Sequence, residues 1–172
     1  VRAADAEAML TGLRADDLDR VVEGLSELLR RHPANPALRE RLAMALNNRG
    51  ARAARAGAMR AAEDDMRRAL ELVPDHAEAL YNRARFLAAG RNWQLALEVL
   101  GRLATLRPDD PEVALDRAEA ESMAGVDGGN QRLAECIARC ADDPRVDPLR
   151  LATAHATLGR SAKALDALSR AH

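Results

Sequence analysis

Two cysteines, Cys136 and Cys140, stand four residues apart, a spacing that puts both thiols on one face of a helix. Paired thiols can form half of a metal site or a redox couple. A zinc site needs further Cys or His ligands at a matching spacing, and none follows. A disulfide between two such helical positions is strained. The pair therefore reads as small apolar residues filling a tight helix contact, and the expected compartment is the reducing cytoplasm. Of the four histidines, His32 and His76 lie beside prolines in turns, His155 takes an inward place on a helix, and His172 is terminal. Catalysis needs a nucleophile, acid or base held by partners in a sheltered pocket. The carboxylate pairs Asp64-Asp65, Asp109-Asp110 and Asp142-Asp143 are adjacent in sequence, and neighbouring helical residues do not converge on one point. Gly128-Gly129 is too short, and too detached from any strand, to cradle a phosphate. The expectation is a chain with no catalytic residues, no metal and no cofactor.

The elements that position these residues follow from an internal repeat. Residues 77–110 form a unit of 34 whose Pro108 stands 34 places after Pro74. The same frame laid over its neighbours puts Gly50, Ala84, Ala118 and Ala152 in one column, at the eighth place. The twentieth place holds Val21, Ala62, Ala96 and Ala164, and the twenty-fourth holds Leu25, Met66, Leu100, Ala134 and Leu168. Small residues recur where two helices must nearly touch, with larger apolar side chains filling the space around the crossing. Each unit therefore reads as two antiparallel helices.

Composition agrees. The 172 residues are 48% hydrophobic but only 2% aromatic, which suits alanine-rich stacked helices better than a sandwich, barrel or parallel sheet. No stretch alternates with the period of two that a strand needs. No apolar run reaches the roughly 20 residues that cross a bilayer, and no basic segment followed by an apolar core opens the chain, so membrane insertion is not expected. The formal net charge of −1 conceals an asymmetry: residues 49–68 hold six arginines against three acids, and residues 109–147 hold eleven acids against four arginines. The acidic half and the scarcity of aromatics for base stacking argue against nucleic acid as a partner.

The 34-residue period, the small residue at place eight, the alanine at place twenty and the proline at place thirty-two together resemble the tetratricopeptide repeat. Residues 77–110 carry Leu80, Tyr81, Asn82, Ala84, Leu87, Ala96, Leu100, Leu103 and Pro108 at the matching places, and residues 43–76 carry Leu46, Asn47, Asn48, Gly50, Gly57, Ala62, Met66, Ala69, Leu72 and Pro74. An opening copy, residues 2–35, keeps Leu18, Val21, Leu25, Leu28 and Pro33 but has a polar first helix. Residues 36–42 insert an extra heptad, two helical turns. With Asn35 as cap and Pro36 as first residue, they extend the next helix to about Ala56. Residues 111–144 depart at Val126 to Asn130, which reads as a longer turn before a short helix from about Gln131 to Cys140. The last copy starts near Arg145 and stops without a closing proline or a polar capping helix. With Val1 in first place, this suggests an excerpt of a longer chain or a processed product.

The resemblance implies an all-α, right-handed α-solenoid of stacked antiparallel helix pairs, about four to five repeats, acting as a non-catalytic protein–protein interaction module. In the family the first helices line a concave groove that meets a protein or peptide partner. Carried over by place, that groove comprises Asn47, Asn48, Arg55, Tyr81, Asn82, Arg85, Leu115, Asp116, Glu119 and Ser122. Arg55 and Arg85 suit a carboxylate in forked geometry. Family members that clamp a terminal carboxylate use lysine where Asn47 stands, and the sole lysine is Lys163, so a chaperone-tail clamp is not expected. Arg49, Arg83 and Arg117 form a ladder one repeat apart; their stems are expected to pack between repeats while their guanidinium groups pair with acids such as Glu121. The alternative is the targeting or substrate-presenting arm of a larger bacterial enzyme of the sulfotransferase or glycosyltransferase type. A third reading is self-association through the uncapped C-terminal repeat.

Overall fold

Prolines and short polar side chains start the helices. Pro36, Pro111 and Pro148 each take a first helical position, where a missing N–H costs nothing. The residue before each supplies the cap. The Asn35 side chain accepts the N–H groups of Ala37 and Leu38 at 3.0 and 3.2 Å. Asp110 accepts those of Glu112 and Val113, and Asp147 accepts that of Leu149 at 2.9 Å. His76 does the same through a ring nitrogen, its Nδ1 accepting from Ala79 N at 3.2 Å.

The computed structural model describes residues 17–169. The first helix of the opening copy and His172 lie outside the described residues. Among the described residues the regular structure is nine α-helices without a strand: α1 Leu18–Arg31, α2 Pro36–Arg55, α3 Met59–Leu72, α4 Ala77–Ala89, α5 Trp93–Leu106, α6 Pro111–Met123, α7 Gly129–Cys140, α8 Pro148–Thr157 and α9 Ser161–Ser169. The fold is all-α, of the solenoid class built from helix pairs. The chain divides into two compact units, Val1–Arg83 and Ala84–His172, with the boundary inside α4.

In the first unit, α2 packs along α3 and α1 lies against α2. The α2/α3 crossing is made at Gly50, where an added Cβ would stand 3.1 Å from the carbonyl oxygen of Ala62 and 3.2 Å from Met66 Cγ. Leu42, Leu46, Ala62, Met66 and Ala69 are buried around it. Each large side chain of this set contributes about 1.5–3 kcal/mol by leaving water.

In the second unit, α6 pairs with α7 and α8 with α9, while α5 packs on α6. One continuous core contains Leu115, Leu133, Ile137, Leu151 and both cysteines. The turn after α6 is tighter than its sequence suggests. Helix α7 begins at Gly129 rather than near Gln131, because Gly128 at φ 72° takes a left-handed conformation that starts the helix earlier. Gly129 then sits against the end of α6, where a Cβ would fall 2.8 Å from the Glu121 carbonyl oxygen and 2.9 Å from Ser122 N. Both neighbours are backbone and cannot swing aside.

Gly129→Ala is therefore expected to destabilise the protein by about 1–3 kcal/mol through overpacking, read as a lower midpoint in urea unfolding. Gly101→Ala, where an added Cβ meets nothing within 4 Å, serves as the control and leaves the midpoint unchanged or raises it.

Candidate functional site

The ten residues expected to line a groove divide evenly between the two units. In the first unit Asn48 and Arg55 are exposed, and Tyr81 and Asn82 are partly exposed. Asn47 is not on that surface. It is 2% exposed, and its Oδ1 accepts the Nδ2–H of Asn82 at 3.0 Å. A buried amide needs its hydrogen bonds met. Asn47 therefore sits beneath the surface, holding Asn82 in place and joining α2 to α4.

In the second unit Arg85 is exposed and Glu119 and Ser122 partly so, but the expectations for Leu115 and Asp116 are corrected. Leu115 is fully buried in the core cluster and offers no side-chain surface to a partner. Ser122 donates its hydroxyl to Asn130 Oδ1 on α7 at 2.5 Å, so it ties α6 to its own partner helix. Asp116 is 8% exposed and lies under Arg150 of α8. The place-by-place expectation missed Arg150, the residue that organises this face. Its Nη2 donates to Asp116 Oδ1 and, at 3.1 Å, to Glu119 Oε2. Glu119 Oε1 accepts the Thr157 hydroxyl at 2.7 Å. Two carboxylates of α6 thus share one guanidinium of α8. A basic residue 34 places after an acidic one was the available signal.

Burial pushes the Asp116 carboxyl above the usual carboxylate range, and the attraction of Arg150 and Arg85 reduces that rise without cancelling it. Arg150 is held above its ordinary value because Asp116 and Glu119 outweigh the opposing effect of its own burial. Beside this cluster lies a cavity of about 260 Å³. Its polar wall is Arg85, Asp116, Glu119, Arg150 and Thr153, and its apolar wall includes Trp93, Leu100, Ala84 and Ala88.

The arginine ladder separates into three different situations. Arg49 grips Asp65 of α3 with two parallel hydrogen bonds, Nε to Oδ2 at 2.7 Å and Nη2 to Oδ1 at 2.8 Å, and its Nη1 reaches Asp19 of α1 at 3.0 Å. Asp65 is 5% exposed, so this fork locks α2 to α3 in a sheltered setting. Arg117 meets Glu121 at 3.2 Å, and the same carboxylate takes Arg132 Nε at 2.5 Å. The buried Nε of Arg83 has no hydrogen-bond partner among the described residues. The ladder is thus fastened to acids at two of its three rungs.

The cysteine sulfurs lie 4.0 Å apart, both buried. Among the described residues no group of three or more His, Cys, Asp or Glu is placed to hold a metal, and no helix is long and apolar enough to cross a membrane. His155 lines a larger cleft of about 630 Å³ with Ile137, Leu151 and Lys163. Burial and the nearby Arg160 and Lys163 lower its basicity.

A sequence profile of the tetratricopeptide repeat matches residues 53–120. No curated protein matches the sequence. Solved structures that share the fold include residues 41 to the end of MamA from Desulfovibrio magneticus RS-1, at 18% identity and a TM-score of 0.62, covering 98% of this chain and 89% of that one, and a tetratricopeptide repeat protein from Parabacteroides merdae, at 20% identity and a TM-score of 0.60, covering 97% and 76%.

Two consequences can be measured. Asp65→Ala strands the Arg49 guanidinium at the α2/α3 interface and is expected to cost about 3 kcal/mol, read as a lower midpoint in urea; an effect under about 0.5 kcal/mol would show the fork to be worth no more than a surface pair. The Cys140 thiol, raised by burial and by Cys136 to about 11, stays protonated in the folded chain while an unfolded thiol ionises nearer 8.5. Its contribution to stability is therefore complete below the unfolded value and is lost as pH rises through about 11. Iodoacetamide at pH 8 is expected to label Cys140 only as fast as the protein opens, and a free-thiol rate in native buffer would contradict this.

Proposed function

We propose, for a chain whose residues 53–120 carry the tetratricopeptide repeat within an all-α stack of helix pairs, that it works as a protein–protein interaction module. It binds an extended segment of a partner along the first helices of its pairs. Catalysis is not part of this reading: the charged groups that cluster in the second unit are engaged with one another, as Arg150 is with Asp116 and Glu119, and none is poised as a nucleophile beside a base.

The observation that carries the proposal is the face formed by α6 and α8. Its buried ions are fixed by mutual contacts, so the side chains around them are held in place before any partner arrives, and pre-ordered groups bind at a lower entropic cost. The same holds at Asn82, oriented from beneath by Asn47. In the first unit an amide held at the surface, with Tyr81 next to it in sequence, offers hydrogen bonds to a peptide backbone; in the second, the exposed Arg85 offers a charged fork to an acidic group.

The test uses only surface residues, so that loss of binding is separable from loss of fold. Immobilised chain is used to capture partners from a lysate of the source organism, and the captured protein's affinity is then measured by calorimetry for the parent and for Asn48→Ala/Tyr81→Ala/Arg85→Ala. The expected result is a single partner segment whose affinity falls by tenfold or more, about 1.4 kcal/mol, with helicity unchanged in circular dichroism. An unchanged affinity would place the binding surface elsewhere on the molecule.

A further inference from the structure

Helix α8 separates two surfaces of the second unit. Arg150 and Thr157 reach toward α6, while Pro148, Leu151 and His155, about half a helical turn round, line the cleft of about 630 Å³. That cleft is a trough with α7 and α9 as its sides and α8 as its floor. The chain passes along α7, back along α8 and, after turning within residues 158–160, out again along α9. The trough therefore has two distinct ends.

The ends carry opposite charge. At the close of α8 and the start of α9 stand His155, Arg160 and Lys163, the last two exposed. Burial and these two cations lower the basicity of His155, as a positive field at that end requires. At the other end the exposed Asp142 follows α7, and Asp166 lies one turn beyond Lys163 in the same direction. Asp143 lines that end as well but is tied to Arg145 at 2.7 and 3.0 Å.

Between the ends the lining is apolar. Ala138 and Ala141 of α7 are exposed and Ala134 partly so, with Ile137, Leu151 and Ala167 closing the trough beneath them. None of these side chains can form a hydrogen bond, and the backbone of the walls is bonded within its own helices. An extended segment laid here would take its N–H and C=O groups out of water without replacement. An α-helix brings its backbone already paired, and its large apolar side chains fit hollows left by alanines. The floor helix has ten residues, about 15 Å or three turns.

We propose that the trough of α7, α8 and α9 docks an amphipathic α-helix of a partner protein. The helix is about three turns long, with basic residues in its first turn, leucine-like side chains along one face and acidic residues in its last turn. Its N-terminus lies at Asp142 and its C-terminus at Arg160 and Lys163, so its own dipole agrees with the charges beneath it. This surface is on the opposite side of α8 from the α6/α8 face, and the assignment does not depend on peptide binding there.

The probe is a fluorescein-labelled synthetic peptide of about four turns with leucines spaced i, i+3, i+4 and i+7, lysines in the first turn and glutamates in the last. Two relatives accompany it: one with its charges exchanged end for end, and one of identical sequence with two central D-residues that break the helix. Anisotropy titrations with the full chain are expected to show saturable binding of the first peptide, about tenfold tighter than either relative. Ala138→Arg places a long charged side chain in the trough from an exposed position and is expected to weaken binding about tenfold or more, with helicity unchanged in circular dichroism. Arg160→Glu/Lys163→Glu, also at exposed positions, removes the preference over the charge-exchanged peptide. Equal binding of the D-residue peptide overturns the helical occupant, and a preference of the parent chain for the charge-exchanged peptide overturns the polarity. No saturable binding, or binding that neither variant alters, overturns the trough as a docking surface. Sedimentation of the chain alone over a dilution series is expected to show no dimer that depends on Ala138; a dimer that Ala138→Arg dissociates would give the trough to a second copy and overturn the partner helix.

Discussion

The constraint on which the structure depends is the distance at which paired helices cross. At Gly50 the backbone of α3 comes so near that even a methyl group would stand 3.1 Å from the Ala62 carbonyl oxygen. At Gly129 the start of α7 rests directly on the last turn of α6. Crossings this close let leucine and methionine side chains beside them interdigitate rather than prop the helices apart. They also explain why the chain manages with so few aromatic residues. A ring is needed to fill a wide gap, and here the gap has been closed by the backbone itself.

Close packing of alanine-rich helices leaves little shape to distinguish one register from another, and the buried ions supply the difference. The fork between Arg49 and Asp65 has a direction and a fixed length, so it tolerates only one alignment of α2 on α3. Arg150 does the same for α6 and α8, and it does so at a cost that burial makes visible in the raised affinity of Asp116 for its proton. Most of the remaining ion pairs sit on exposed helix faces, as between Glu27 and its neighbours Arg30 and Arg31, and contribute little beyond solubility. What separates the two classes is burial, not the number of contacts.

A repeat fold determines where a surface will be and leaves its chemistry to the residues placed there. In this chain that chemistry is built in two layers. In the first unit Asn47 is shielded and sets the position of Asn82; in the second Arg150 is largely shielded and sets the positions of Asp116 and Glu119.

The helix pairs, their small-residue crossing at Gly50, the capped proline at Pro36 and the all-α class were legible in the sequence. Helix period, capping and close crossing are properties of a few residues near one another along the chain. The sequence by itself also determined the list from which the candidate site is drawn. It could not determine which members of that list are buried. A place in a repeat specifies a direction from a helix axis, but exposure depends on the side chain arriving from the next helix. Leu115 was therefore expected at a surface and lies in the core, Asn47 was expected there and lies beneath Asn82, and Arg150 was not anticipated at all. Only the tertiary structure decided that Asp116 and Glu119 would share one guanidinium from 31 and 34 residues away, because that pairing depends on how one helix pair settles on the next and not on any spacing within either.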